Sequence, residues 1–159
     1  MFVPMSPDAA SRLAKYLHAQ IPISRAMGMR VLHFERSRVV LCAPLAPNIN
    51  HRQTFFGGSA AALATLAAWA LAHERIRDDS GLDVHVVIQR SSMEYLEPAA
   101  AEVEAECLAP PDKEWQRLVR SVRRWGKGRI QLAVQLHAEG SVVGSFEGEF
   151  VALVQPTKS

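Results

Sequence analysis

Between Ala60 and Ala72, twelve of thirteen residues are apolar, Thr65 being the exception. A helix on the surface of a soluble protein shows one apolar stripe and one wet side, so this one must be covered nearly all round. It falls short of the roughly twenty residues needed to span a bilayer, and the cover must come from the rest of the chain. "SPDAASRLAKYLHAQIP" predicts a helix within residues 1–21. Ser6 can cap it, Pro7 suits its first position, Asp8 favours its positive end and Pro22 stops it. "MRVLHFERSRVVLCAPL" predicts two short strands around Arg36–Arg38, with an exit marked by Pro44 and Pro47.

Beyond the apolar helix, "LDVHVVIQRSSMEYLEP" reads as a long strand with Val84, Val86 and Ile88 on one side, closed by Pro98. "AAAEVEAECLA" alternates Val103, Ala105 and Cys107 with Glu102, Glu104 and Glu106, the mark of a half-buried strand. "PPDKEWQRLVRSVRRWGKG" changes to helical spacing, with Trp115, Leu118, Val119, Val122 and Trp125 in one stripe. Asp112 is placed to cap that helix and Gly126 to end it. The last run alternates Ile130, Leu132, Val134 and Leu136 with polar neighbours and turns at Glu139–Gly140, a hairpin. Tight turns between late strands require antiparallel pairing. The expected fold is therefore α+β: one domain over residues 1–159, with an antiparallel sheet wrapped around a long central helix at 57–76.

Composition changes this picture little. The 159 residues include 18 basic and 16 acidic ones, a balance that excludes a dedicated nucleic-acid binder. Cys42 and Cys107 are distant and form no metal or disulfide pattern, and the six histidines lack ligand spacing. No metal is expected. The N-terminus lacks the basic start and apolar run of a secretory signal, so a cytoplasmic, membrane-free protein is expected.

The mouth of the central helix carries the candidate chemistry. A helix start leaves N–H groups unpaired at the positive end of the macrodipole. Gly57 and Gly58 would leave those donors open to an anion or a developing oxyanion, with the Ser59 hydroxyl and the Phe56 ring beside them. Asn50 could donate an amide or hold a water. The same residues also fit a plainer account: a tight Gly-Gly turn, Asn48 and Asn50 as turn residues beside Pro47, a solvated His51, and Thr65 bonded one helical turn back. Arg117, Arg120, Arg124 and Lys127 recur opposite the tryptophan stripe, with Arg123 and Arg129 nearby. They form either a solvated face or a contact for phosphates or an acidic protein.

Three runs, "IPISRAMGMRV", "APLAPNINHRQTFFGGS" and "QRSSMEYLEP", resemble the hotdog-fold thioesterase family that includes the C-terminal domain of YiiD-type bacterial acyltransferases. The resemblance extends over most of residues 20–155. Hotdog thioesterases of the phenylacetate-degradation type carry an Asn, then His-Gly-Gly, then an Asp or Glu in the central helix. Asn50 and Gly57–Gly58 match. Phe56 stands at the histidine position, and Thr65 falls near the acid.

The resemblance implies an acyl thioester hydrolase whose oxyanion is held by the Gly57 and Gly58 amides and whose water is positioned by Asn50 and Thr65. The general base then comes from His51, Glu94 or Glu97, of the same chain or of the partner subunit. Arg90 and Ser91 would flank the path of the carrier arm, with Arg124 and Lys127 as further substrate contacts. Coenzyme A enters as part of the substrate, an acyl-CoA or acyl carrier protein thioester, and no separate cofactor is expected. A homodimer or dimer of dimers with a shared cleft follows as well. The missing histidine and acid keep a non-catalytic acyl-thioester-binding or dimerisation module open as the alternative. A dehydratase would need a histidine with an acidic partner, and the loop offers His51 alone.

Overall fold

The computed structural model describes residues 7–156. Ser6, expected to cap the first helix, lies outside the described residues. Helix α1 spans Pro7–Gln20. Pro22 does not simply stop it but opens a second, short helix α2 at Pro22–Ala26, in whose first turn a missing N–H is harmless. Strands β1 (Arg30–Glu35) and β2 (Arg38–Ala43) follow, then a 3₁₀ turn at Ala46–Asn48. The central helix α3 runs Gly57–Ser80. Strand β3 (Val84–Tyr95), β4 (Val103–Leu108), helix α4 (Asp112–Trp125), β5 (Lys127–Ala138) and β6 (Ser141–Val154) complete the fold.

The six strands form one sheet in the order β1-β2-β4-β5-β6-β3, antiparallel throughout. The β5–β6 hairpin turns where expected, with positive φ at both Glu139 (50°) and Gly140 (80°), the condition of a type I′ turn. The alternation along β5 is realised as a strict buried–exposed rhythm through Ile130, Leu132, Val134 and Leu136. These side chains, with Phe146, Phe150 and Ala152 of β6, meet the buried Leu63, Ala64, Ala67, Ala68, Leu71 and Ala72 of α3 in one core. The alanines let the sheet close tightly around the helix.

Three expectations change in detail. Helix α3 extends beyond residue 76 to Ser80, because its polar last turns are anchored: Arg75 is only 5% exposed and reaches Asp79 (3.4 Å), Asp112 (2.5 Å) and the Trp115 ring (4.7 Å). Gly81, at φ 68°, then ends it with its N–H on the Arg77 carbonyl. Asp112 makes no capping bond to α4, whose N-cap is Pro111; its carboxylate serves Arg75 instead. Trp125 leaves the α4 stripe: Trp115, Leu118, Val119 and Val122 are buried, but Trp125 is 66% exposed beneath the Arg124 guanidinium.

One strip of α3 escapes the sheet. Thr65, Trp69 and His73, spaced by four, are half-buried there, and Tyr16 of α1 stacks in line with them, 5.2 Å from the His73 ring. Trp69 in turn stacks on His73 at 4.6 Å and donates its indole N–H to the Val86 carbonyl at 2.7 Å. Among the described residues, the outer edge of β3 beyond Val86 has no partner strand, and Val87 (47%) and Ile88 (38%) are exposed.

Candidate active site

The loop before α3 is tied down at three points. Asn48, 3% exposed, donates its amide to the carbonyls of Met27 and Pro44, both at 2.8 Å. Its own carbonyl accepts the Phe56 N–H (2.7 Å), and the Phe55 N–H reaches Ala99 across the fold (2.7 Å). Residues 50–54 make a tight turn organised by Asn50. Its side-chain oxygen accepts from the N–H groups of Arg52 (2.9 Å) and Thr54 (3.1 Å), while its Nδ2 donates to the Thr54 hydroxyl (2.9 Å). Asn50 is thus bound within its own loop.

The helix mouth is open. Phe56 is the N-cap residue, extended and without a side-chain capping bond. The first helical bond runs from the Ala60 N–H to the Phe56 carbonyl (3.0 Å), leaving the amides of Gly57, Gly58 and Ser59 with no backbone acceptor among the described residues. The absence of side chains matters at both glycines. A Cβ on Gly57 would lie 3.2 Å from the Tyr95 ring, and one on Gly58 only 2.5 Å from Phe56 Cε1.

Beside this mouth lies a cavity of about 340 Å³. Gly57, Tyr95, Leu96 and Glu97 form its rim, and Phe55, Ala60, Val103, Leu136 and Val143 its buried floor. Tyr95 is a site residue that local sequence reading does not find. It comes from the far end of β3 and donates its hydroxyl hydrogen to the Gly57 carbonyl (3.0 Å). Period-2 spacing does place it on one face of β3 with Met93, and the register with β6 sets Ser91, Met93 and Tyr95 opposite Gly148, Phe146 and Gly144 on the helix side.

The other candidates separate by position. Of the three possible bases only Glu97 lines the cavity; His51 is exposed in the loop, and Glu94 pairs in register with Ser145 on the outer face. Arg90 likewise falls outside, opposite Glu149, whereas Ser91 faces the helix. The Thr65 hydroxyl donates to the Ala61 carbonyl at 2.8 Å, the plainer of its two readings. Arg124 and Lys127 are not brought to the mouth of their own chain. Arg123 donates to the carbonyls of Asp79 and Ser80, so this end of α4 abuts the C-terminus of α3, about 30 Å from Gly57 at 1.5 Å per residue. Both cysteines are buried, and burial pushes the Cys107 thiol up to about 12 and Cys42 to about 11, away from any nucleophilic use.

An antiparallel sheet curled around a long helix, whose bare N-terminus opens on an apolar cavity, is the hotdog fold of the thioesterases. The chain belongs to the family described as putative thioesterase (yiiD_Cterm), whose model matches residues 10–154. It is similar to a putative thioesterase from Shewanella oneidensis, with 28% identity, TM-score 0.81, and 93% of this chain and 99% of that one covered. A protein of unknown function from Chlorobaculum tepidum TLS is also 28% identical, with TM-score 0.86 and 94% and 98% covered. At 23% identity and TM-score 0.61, a mutant of the phenylacetic acid degradation protein PaaI from Thermus thermophilus shares the fold over 84% of this chain and 99% of its own.

Proposed function

We propose that the protein hydrolyses acyl thioesters, carried on coenzyme A or an acyl carrier protein. The observation that carries this reading is the trio of amides at Gly57–Ser59, without a backbone acceptor among the described residues, opening on an apolar cavity in whose lining Glu97 supplies the carboxylate. The thioester carbonyl points at the Gly57 and Gly58 amides, which stabilise the oxyanion as it forms. Removing one donor of this kind typically raises the barrier by about 2.7–4 kcal/mol. Glu97 takes the proton of the attacking water, a role worth about 10²–10⁴-fold, and the thiolate leaves toward Ser91 on the helix side of β3.

Asn50 then acts mainly by holding the loop that aims the amides, since its own hydrogen bonds are committed to Arg52 and Thr54. Thr65, on the open strip of α3, retains an oxygen lone pair that can steady the water. Arg124 and Lys127 enter this reading as exposed contacts for an acidic carrier. A homodimer follows from the open β3 edge, whose exposed Val87 and Ile88 a second copy would cover. Among the described residues, no helix is long and apolar enough to cross a membrane.

The test is thiol release from acyl-CoA and acyl carrier protein substrates, with Glu97→Gln and Asn50→Ala alongside. Release that falls at least a hundredfold in E97Q supports the assignment; release unchanged in E97Q removes Glu97 as base. One observation favours a second reading: Phe56 stands at the histidine position and Thr65 falls near that of the helix acid. Binding of acyl thioesters without any thiol release would make the protein a non-catalytic binding module.

A further inference from the structure

We infer a second binding site at the opposite end of the molecule: the basic groove between α4 and β5 binds a nucleoside polyphosphate, its base stacked on Trp125 and its phosphates held by Arg117, Lys127 and Arg129. The run that builds it is unusual in charge. Six basic residues fall within residues 117–129, and no acidic residue lies between Glu114 and Glu139. Arg117, Trp125, Lys127 and Arg129 line the groove together with Leu118 and Val151. It lies at the end of α4 that abuts the C-terminus of α3, about 30 Å from Gly57, and the inference does not rest on the thioester reading. Strand β6 separates β5 from the open β3 edge, so a second copy paired along that edge would not cover it.

A lone exposed aromatic is ordinary, but this one is set in place to receive a ring. Trp125 is 66% exposed, and Arg124 covers one face with its guanidinium 4.8 Å from the ring centroid. A base on the other face completes a sandwich of guanidinium, indole and base, in which stacking strengthens binding about five- to a hundredfold. The corner that carries the indole is held before any ligand arrives. The Ser121 hydroxyl donates to the Lys127 carbonyl at 2.8 Å, and the Val154 N–H donates to the Gly126 carbonyl at 2.9 Å. Gly128 brings β5 close against α4: a Cβ there would lie 2.8 Å from Leu118 Cδ1 and 3.1 Å from the Leu118 carbonyl oxygen.

The cations project from that corner. Lys127 and Arg129 alternate onto the exposed side of β5, and the Lys127 ammonium has no acidic partner among the described residues. Arg129 is shared between Gln89 (3.0 Å) and Glu149 (3.9 Å), and Arg117 meets Glu114 at 3.5 Å. Both ion pairs are loose and in contact with water, where such pairs are weak. Each guanidinium keeps further N–H groups for a phosphate, whose oxygens match the fork. An acidic carrier protein resting on Arg124 and Lys127 would compete for the same cations, but it brings no base to Trp125. Charge and ring together select a nucleotide.

Isothermal titration at low salt, without divalent metal, with ATP, adenosine and tripolyphosphate tests the two halves separately. ATP should bind at one site per chain, roughly tenfold or more tighter than either fragment. Trp125→Ala should weaken ATP at least about fivefold and leave tripolyphosphate unchanged, with Trp125→Phe close to the wild type. Lys127→Ala combined with Arg129→Ala should weaken both phosphate ligands. Glu114→Gln, which removes the acid beside Arg117, should tighten ATP. Trp125, Lys127 and Arg129 are exposed, so these variants should keep the wild-type thermal midpoint. Tripolyphosphate that binds as tightly as ATP would overturn the proposal and leave only a surface for acidic partners. ATP binding undiminished in W125A would overturn it as well. Coenzyme A carries the same base and phosphates and separates the two sources: ATP binding that coenzyme A displaces but W125A leaves intact belongs to the thioester mouth and counts against the groove. Thiol release takes no part in these readouts, so the hydrolase reading can fail without moving them.

Discussion

Tyr95 donates its hydroxyl hydrogen to the carbonyl of Gly57 at 3.0 Å, joining the last residue of β3 to the first residue of the central helix. The bond fixes where the three amides point relative to the cavity rim. Tyr95 is 58% exposed, so the bond contributes little to folding, about 0.5–1.5 kcal/mol at most. Tyr95→Phe should keep the fold and the binding of acyl carboxylates yet lower kcat about three- to tenfold, because an oxyanion site loses efficiency when its donors drift. Steady-state kinetics in which KM rises and kcat does not fall would show that the hydroxyl serves substrate binding and not the aim of the amides.

Much of this arrangement was legible beforehand. The alternation of β4 and β5, the positive-φ turn at Glu139–Gly140 and the helix that needed cover all follow from period and composition. What escaped depends on contacts distant in sequence. Helix α3 runs past residue 76 because Arg75 finds Asp112, thirty-seven residues on. That same contact takes Asp112 away from its expected cap. Trp125 fits the α4 stripe by spacing but sits at the helix end, next to the Gly126 αL cap, where the core has stopped. At the site, Gly57 and Gly58 are visible locally, whereas the cavity is assembled from β3, β5, β6 and the 96–99 segment, which no local pattern can bring together.

Asn48 is the residue whose importance the sequence understates. Its buried amide bridges Met27 and Pro44, and Asn48→Ala would leave the buried Met27 carbonyl and the part-buried Pro44 carbonyl without their donor, destabilising the fold by about 2 kcal/mol. Asn48→Asp gives a sharper test. An ionised carboxylate there would face two carbonyl oxygens, and only the protonated acid could donate, through its single O–H, to one of them, so its folded pKa would be raised above the unfolded value of about 3.9. The folded state then holds the extra proton. Stability should be retained below about pH 4 and lost as pH rises through the folded pKa. Urea unfolding of N48D at pH 4 and pH 7 checks this, and equal midpoints would show that the amide is not the bridge.

The aromatic strip makes the opposite pH prediction. Burial against Trp69 and Tyr16, then the charges of Arg77 and His85, hold the His73 imidazolium below its ordinary 6.5, with Asp83 acting weakly against them. A histidine whose folded pKa is depressed binds its proton more readily when unfolded. Its contribution to stability is complete above about pH 6.5 and is lost as pH falls through the folded pKa. The neighbouring Glu74 works the other way: burial raises its carboxyl, so its contribution falls with rising pH. The wild-type curve therefore mixes the two, and the difference against His73→Phe isolates the histidine. That variant keeps a ring in the stack and removes a buried Nδ1 that has no partner among the described residues. It should match or exceed the wild type in thermal midpoint at pH 7.5 and gain on it steadily toward pH 5. Parallel midpoints across that range would show that His73 titrates as it does in water.

Gly58 separates stability from activity. In a helix, Gly→Ala is favourable by about 0.5–1 kcal/mol, and Gly58 has ordinary helical backbone, so nothing in its own conformation demands glycine. The demand comes from Phe56, whose Cε1 would lie 2.5 Å from the new Cβ. Phe56 is 55% exposed, so swinging its ring into solvent relieves the clash at little cost in folding. Its consequence falls on the mouth, where the displaced ring and the added methyl crowd the Gly58 and Ser59 amides. Gly58→Ala should therefore be as stable as the wild type, or more so, and slower in thiol release by roughly tenfold or more, short of the roughly hundredfold that outright loss of one oxyanion donor costs. A thermal melt paired with a thiol assay decides it. A stable variant with undiminished release would mean that substrate does not approach the helix from the side of Phe56.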